Sequence, residues 1–269
     1  MSRAFQAGAY RLPLGEKTYI MGICNVTPDS FSDGGQFLRP QDAIEHALRM
    51  QQEGADLIDI GGQSTRPGFQ AVSPEEEWQR LQPVLEGLRG RLTVPLSVDT
   101  FYPQVAALAC EKGADIINDV TGFAPDMWKV AARYGCGCIV MHPSEPEGDV
   151  LPAVRAFFEQ KRQEAARWGI DEEKLCMDPG IGFGKTYEQN LQLIRDVKEY
   201  RLADCALLMA ASRKRVIGRP CGDPPFAQRL AGTLAAHTVA QMGGADMLRV
   251  HDVKEAVQAA RVVDALLHI

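Results

Sequence analysis

An apolar run, then a polar cluster, then a helical segment: this order recurs eight times along the chain, and no other feature restricts the fold as much. The apolar runs cover residues 19–24, 55–60, 94–98, 115–117, 136–141, 175–177, 206–210 and 246–250. The helical segments between and after them cover 40–53, 73–88, 103–112, 126–134, 153–168, 187–200, 226–242 and 253–267. The second helix carries its own start signal, with Ser73 as N-cap, Pro74 at the first position and Glu76 at the third. Strands that alternate with helices pair in parallel. Eight such units without a linker or low-complexity tract predict a single closed (β/α)8 TIM barrel spanning residues 1–269. An open doubly wound sheet is the competing arrangement. It gathers its ligand groups at one switch point, whereas polar clusters here follow almost every strand.

Composition matters mainly for what it excludes. At 45% hydrophobic and 24% charged, the chain suits a globular protein with a large core. A net charge of −6 leaves no broad basic surface for nucleic acid, although a local cationic pocket is compatible with it. The N-terminal stretch MSRAFQAGAYRLPLG has no apolar segment of signal length, and no run approaches the ~20 apolar residues of a membrane span. The seven cysteines follow no metal-site spacing, since Cys136 and Cys138 form CxC and not CxxC. They read as reduced thiols of a cytoplasmic protein.

The polar clusters carry the chemistry. The first is NVTPDSFSDGG, residues 25–35, whose two Asp, one Asn and two Ser cannot lie unpaired in a core. In a barrel all C-terminal strand ends share one mouth. That mouth would gather Asn25, Asp29, Arg66, Asp99, Asn118, Asp178, Lys214, Arg249 and His251. Singly, each has an ordinary explanation. Asp99, Asn118 and Asp178 suit helix caps, Lys214 and Arg249 suit surface charges, and His251 suits a satisfied core histidine. Their confinement to strand C-termini is not explained that way. Asp99, Asn118, Asp178 and Lys214 combine acceptors and donors that match a flat heterocycle bearing ring N–H, amino and carbonyl groups. Arg66, Arg249 and His251 form a cationic half suited to phosphate, which barrels often hold beyond the last strands.

NVTPDSFSDGG, GGQSTRPG, SVDT, IINDV, DPGIGFGKT, SRK and LRVHDV resemble, in order and spacing, the motifs of the dihydropteroate synthase family. The resemblance runs from about residue 19 to 263. It implies a pterin-binding barrel that joins 6-hydroxymethyl-7,8-dihydropterin diphosphate to 4-aminobenzoate, releasing 7,8-dihydropteroate and diphosphate. It further implies that Asp99, Asn118, Asp178 and Lys214 bind the pterin. Asn25 would ligate Mg2+, the implied cofactor, on the diphosphate, while Arg66, Arg249 and His251 hold phosphate. Phe31, Thr65, Pro67 and Phe183 would line the aminobenzoate pocket. A homodimer is implied as well.

The reaction reads as dissociative, with Asp29 stabilising the cation left on the pterin, and Asn25 and Lys214 also placed in the catalytic set. No strong general base is required, because an arylamine is already mostly neutral at pH 7, and the sequence shows no Ser/His/Asp triad that would suggest a covalent nucleophile. Three departures from the family pattern stand out: Gln63 in place of glutamate, Cys24 in place of leucine, and Arg215 in place of serine. None touches the pterin or phosphate sets. A pterin-dependent methyltransferase domain, a non-catalytic pterin-binding homologue and a structural protein on the same barrel are the competing readings.

Overall fold

The computed structural model describes residues 3–26, 40–63 and 71–269. Eight parallel strands form a closed barrel: β3 (Tyr19–Asn25), β4 (Leu57–Gly61), β5 (Leu96–Asp99), β6 (Ile116–Asp119), β7 (Gly137–Met141), β8 (Leu175–Asp178), β9 (Ala206–Met209) and β10 (Met247–Val250), with β10 returning to β3. The expected (β/α)8 barrel is therefore the observed one. The outer helices are α1 (Pro40–Gln52), α2 (Pro74–Leu88), α3 (Pro103–Glu111), α4 (Pro125–Tyr134), α5 (Val150–Arg167), α6 (Tyr187–Arg195), α7 (Val197–Tyr200), α8 (Arg215–Gly218), α9 (Leu230–Met242) and α10 (Val253–Leu267).

Strand parity divides the apolar residues into two cores. Ile20, Cys24, Ile58, Ile60, Val98, Ile117, Val140 and Met177 face outward and pack against the helices. Tyr19, Met21, Leu57, Ile116, Ile139, Cys176, Leu208 and Met247 form a separate cluster in the barrel interior. Successive side chains of a strand point to opposite faces, so the inward parity also fixes Asn25, Asp59, Gly61, Ser97, Asp99, Asn118, Asp178 and Arg249 toward the axis. Apolar residues occupy the lower interior and polar ones the upper.

The floor of the barrel is closed by a hairpin that the periodicity did not announce. It pairs β1 (Ala4–Ala7) with β2 (Tyr10–Pro13) in antiparallel register. Phe5 and Ala7 are fully buried within the interior cluster, and β1 packs on β7 and β8. Gly137 makes this approach feasible, because a Cβ there would lie 2.9 Å from Phe5 Cζ. Arg3 ties the hairpin down through Asp246 at 2.9 Å, and Asp246 also accepts from Leu207 N at 3.0 Å.

Local signals account for most element boundaries. The Ser73 hydroxyl accepts from Glu76 N at 3.1 Å, so the expected N-cap of α2 is formed; losing such a cap costs about 1 kcal/mol. Thr186 and Gln189 make a reciprocal capping box at the start of α6. The single helix expected over 187–200 is two, broken at Asp196, whose ψ of 40° leaves the helical range. The segment 226–228 is a 3-10 turn, so α9 starts only at Leu230.

Candidate active site

Four strand ends place Asn25, Gly61, Asp99 and Asn118 side by side, in register across β3, β4, β5 and β6. A Cβ at Gly61 would make ordinary van der Waals contact with Asn25 Oδ1 and Asp99 Cβ, each 3.5 Å away. Below them Asp59, with no exposed surface, accepts from Ser97 Oγ at 2.6 Å, Asn118 Nδ2 at 3.1 Å and Arg249 Nε at 2.6 Å. Arg249 reaches on from β10 to Asp99 Oδ2 at 2.9 Å. The second oxygen of Asp99 is buried and has no hydrogen-bond partner among the described residues.

Burial dominates the electrostatics. It pushes the Asp99 carboxyl up to about 7, against the downward pull of Arg249, while Asp59, Glu77 and Asp119 push in the same direction as burial. Asp178, at the end of β8, is also raised by burial, opposed chiefly by Lys214. Lys214 is lowered to about 8 by burial, although Asp178 works to keep it charged. Its Nζ donates to Ile181 O at 2.6 Å and lies 4.9 Å from the centre of the Phe183 ring.

The loop after β8 is held from two sides. Asp178 Oδ1 accepts from Gly180 N at 2.7 Å. Gly180, at φ +71°, leaves no room for a side chain, because a Cβ would fall 2.1 Å from His142 O. Lys185 donates to His142 O at 3.1 Å, Ser144 O at 3.3 Å and Phe183 O at 2.8 Å, which joins the β7 and β8 loops. Asn190 then accepts from Gly182 N at 2.6 Å.

The SRK turn after β9 is strained. Arg213 has φ 55°, a conformation that costs a non-glycine residue about 1–3 kcal/mol and persists only when its surroundings over-determine it. Its N–H donates to Thr233 Oγ1 at 2.9 Å, and its guanidinium forms a two-pronged pair with Asp252, with Nε at 2.9 Å. Ser212 Oγ meets His251 Nδ1 at 2.9 Å, and the Phe226 ring packs edge-on to His251. The turn thus fixes Lys214 and His251 relative to one another.

Of the residues expected at the mouth, Asn25, Asp99, Asn118, Asp178, Phe183, Lys214, Arg249 and His251 are described, and all lie at the C-terminal ends of the strands. Asp29, Phe31, Thr65, Arg66 and Pro67 lie outside the described residues. Arg249 does not separate cleanly into a cationic half, since two carboxylates hold it. Asp59 was absent from the expected set. Its signal was present, a charged residue at inward parity in the otherwise apolar strand LIDIG. Lys185 sat unassigned within DPGIGFGKT. Gln63 is buried and donates to Glu77 Oε1 at 3.0 Å, while Thr100 Oγ1 donates to the other Glu77 oxygen at 2.6 Å. Arg215 is exposed and Cys24 is buried on the outward face. Among the described residues no group of three or more His, Cys, Asp or Glu is placed to hold a metal ion.

Comparison with known proteins agrees with this geometry. A family model described as pterin binding enzyme matches residues 21–251. The dihydropteroate synthase of a Synechocystis strain is 44% identical over 94% of this chain and 91% of its own length. The solved structure of Xanthomonas albilineans dihydropteroate synthase with 4-aminobenzoic acid superposes with a TM-score of 0.94 at 41% identity, covering all of both chains. That of the Burkholderia cenocepacia enzyme complexed with 7,8-dihydropteroate gives 0.90 at 37% identity, over 99% of this chain and 97% of the other. By the matched family model, and by identity over nearly its full length, the chain belongs to the pterin-binding enzymes and, within them, to the dihydropteroate synthase family.

Proposed function

We propose that the chain condenses 6-hydroxymethyl-7,8-dihydropterin diphosphate with 4-aminobenzoate to give 7,8-dihydropteroate and diphosphate. One observation carries the reading at the level of atoms: the buried oxygen of Asp99 that is unpartnered among the described residues, in register with Asn118. A buried acceptor left unmatched costs about 1–3 kcal/mol, and a ring N–H or amino group supplies the missing donor. The 4-aminobenzoic acid and 7,8-dihydropteroate bound by the Xanthomonas and Burkholderia enzymes support the same substrate classes here.

In this reading Asp99, Asn118, Asp178 and Lys214 hold the pterin ring. Breaking the carbon–oxygen bond to the diphosphate leaves a cation that the ring delocalises, with Asp29 as its stabilising charge. Arg66, Arg249 and His251 bind the departing diphosphate; such fixed cations act where charge develops. The arylamine of 4-aminobenzoate then attacks the exocyclic carbon, and the new ammonium loses its proton. A neutral arylamine needs no strong general base. Phe31, Thr65, Pro67 and Phe183 form the aminobenzoate pocket.

Asn25 contributes an amide oxygen, a hard ligand. Mg2+ typically takes few protein oxygens and completes its shell with substrate phosphates and water. The donor set therefore fits an ion that arrives with the diphosphate, and that ion would supply charge neutralisation at the leaving group.

A second copy of the chain has a matching surface. Val239 and Met242 on α9, with Val262 and Leu266 on α10, are exposed at helical spacing on two helices packed together. A homodimer through this face is the assembly we propose. No helix among the described residues is long and apolar enough to cross a membrane, and the free thiols support placement in a reducing cytoplasm.

A coupled assay for dihydropteroate formation, with both substrates and Mg2+, tests the function. Turnover supports it, and its absence from a folded preparation that binds neither substrate overturns it.

A further inference from the structure

Asp59 receives three donors from three other strands: Ser97 on β5, Asn118 on β6 and Arg249 on β10. It is fully buried, and both its oxygens are engaged. Any influence on a ligand must therefore pass through these neighbours.

The consequence appears at Asn118. A carboxylate that faces a guanidinium only accepts hydrogen bonds, whereas an amide has a donating end and an accepting end. Bonding to Asp59 Oδ2 commits the Asn118 Nδ2 end to the interior. The carbonyl end is then the one turned to the mouth. Arg249 is similarly constrained: Nε donates to Asp59 Oδ2, which Nη2 also approaches at 2.6 Å, and Nη2 donates to Asp99 Oδ2. The same Asp99 leaves its second oxygen unmatched as an acceptor. The mouth-facing edge of the Asp99–Asn118 pair is thereby acceptor-rich.

We propose that Asp59 is a positioning residue that sets the donor–acceptor polarity of the site, orienting Asn118 and Arg249 so that the pair Asp99–Asn118 accepts from a ring that donates. The inference rests on the reading of this mouth as a pterin site and adds the device that makes the site selective for a donor edge. Neither periodicity nor the motif positions single out Asp59 for this role; the convergence of three strands on its carboxylate does.

The test uses the full-length protein, calorimetry with 6-hydroxymethyl-7,8-dihydropterin, and thermal unfolding. Asp59→Asn lets the Asn118 amide turn over, and the pterin Kd should rise about tenfold or more, the size expected for a mismatched buried hydrogen bond. The double variant Asp59→Asn, Asn118→Asp rebuilds an amide–carboxylate pair with the two groups exchanged, and residue 118 then turns a carboxylate oxygen, an acceptor, to the mouth whichever way it lies. It should recover the pterin affinity lost in the single variant along with the unfolding temperature. Recovery of stability without affinity would overturn the proposal, as would an unchanged Kd in Asp59→Asn. Should Asp59→Asn fail to fold, Ser97→Ala decides the matter. It removes one partner of Asp59 but leaves Asn118 and Arg249 in place, so affinity should stay at the wild-type value while stability drops; a matching loss of affinity overturns the proposal. Wild-type protein that does not bind the pterin at all overturns the pterin reading itself, a result separable from each of these.

Discussion

Arg249 Nη2 lies 2.9 Å from Asp99 Oδ2, so a residue expected to hold the anionic part of a ligand is itself held by an anion of the protein. With Asp59 on its Nε, the guanidinium lies between two buried carboxylates. Removing one member of a buried ion pair costs about 3–5 kcal/mol, because the partner charge is left uncompensated. Arg249→Ala should lose stability on that scale in chemical denaturation.

That loss should depend on pH. The folded Asp99 carboxyl, at about 7, lies above its unfolded value, so its contribution to stability is fully present at low pH and fades as pH rises from the unfolded value through 7. Arg249 is the group pulling that value down, and its removal extends the fading to higher pH. The deficit of Arg249→Ala should therefore be larger at pH 8 than at pH 6, as measured by urea unfolding at both. An equal deficit at the two values would argue that Asp99 does not titrate in this range.

Lys214 gives the opposite limb. Burial lowers it to about 8 from the ordinary lysine range, so the folded protein loses this charge well before the unfolded chain does. If the charge is needed at the pterin, kcat/KM for the pterin diphosphate should fall on the alkaline side of about pH 8. Lys185 is also lowered to about 8 by burial, so the limb must be assigned. It should persist in Lys185→Met and be absent from the low residual rate of Lys214→Met.

Gln63 and Thr100 both donate to the buried Glu77 carboxyl. Burial raises Glu77, and hydrogen bonds from Thr100 and Gln63 oppose the rise. Gln63→Glu sets a second carboxyl against the first. One of the pair then stays protonated, with its folded value above the unfolded one. The variant should match wild type near pH 5 and lose about 1–3 kcal/mol by pH 8, the scale of a lost buried hydrogen bond. Melting temperatures across that range would show it.

The barrel floor is a further place where a small change should be felt. Phe5→Ala removes a fully buried ring, at a cost of about 3–5 kcal/mol. Gly137→Ala forces a Cβ to within 2.9 Å of that ring and 3.1 Å of Gln6 O. Both variants should unfold at lower denaturant concentration while keeping the pterin affinity of the wild type, because the site lies at the opposite end.

Much of this architecture was legible in the sequence because strand parity and strand-end chemistry are local. The apolar run 19–24 followed by Asn25, or 175–177 followed by Asp178, needs no distant partner to be read. What escaped was non-local. Asp59 belongs to a network whose members lie 38, 59 and 190 positions away in the chain. The hairpin 4–13 is short and of mixed polarity, and only the barrel interior it covers gives it an apolar face. The break at Asp196 reflects the way α7 turns to pack on α5. The three carbonyls that converge on Lys185 come from two different loops.

The apolar cluster packed in the lower interior, with the β1–β2 hairpin beneath it, leaves no passage from one end of the barrel to the other. Whatever reaches Asp99 and Arg249 enters and leaves by the same opening. For a reaction with two substrates and two products, a single doorway imposes a sequence on traffic: the molecule seated deepest must arrive before its partner and depart after the outer product has cleared. Order of addition and release is thus written into the closure of the far end, some distance from any atom that reacts.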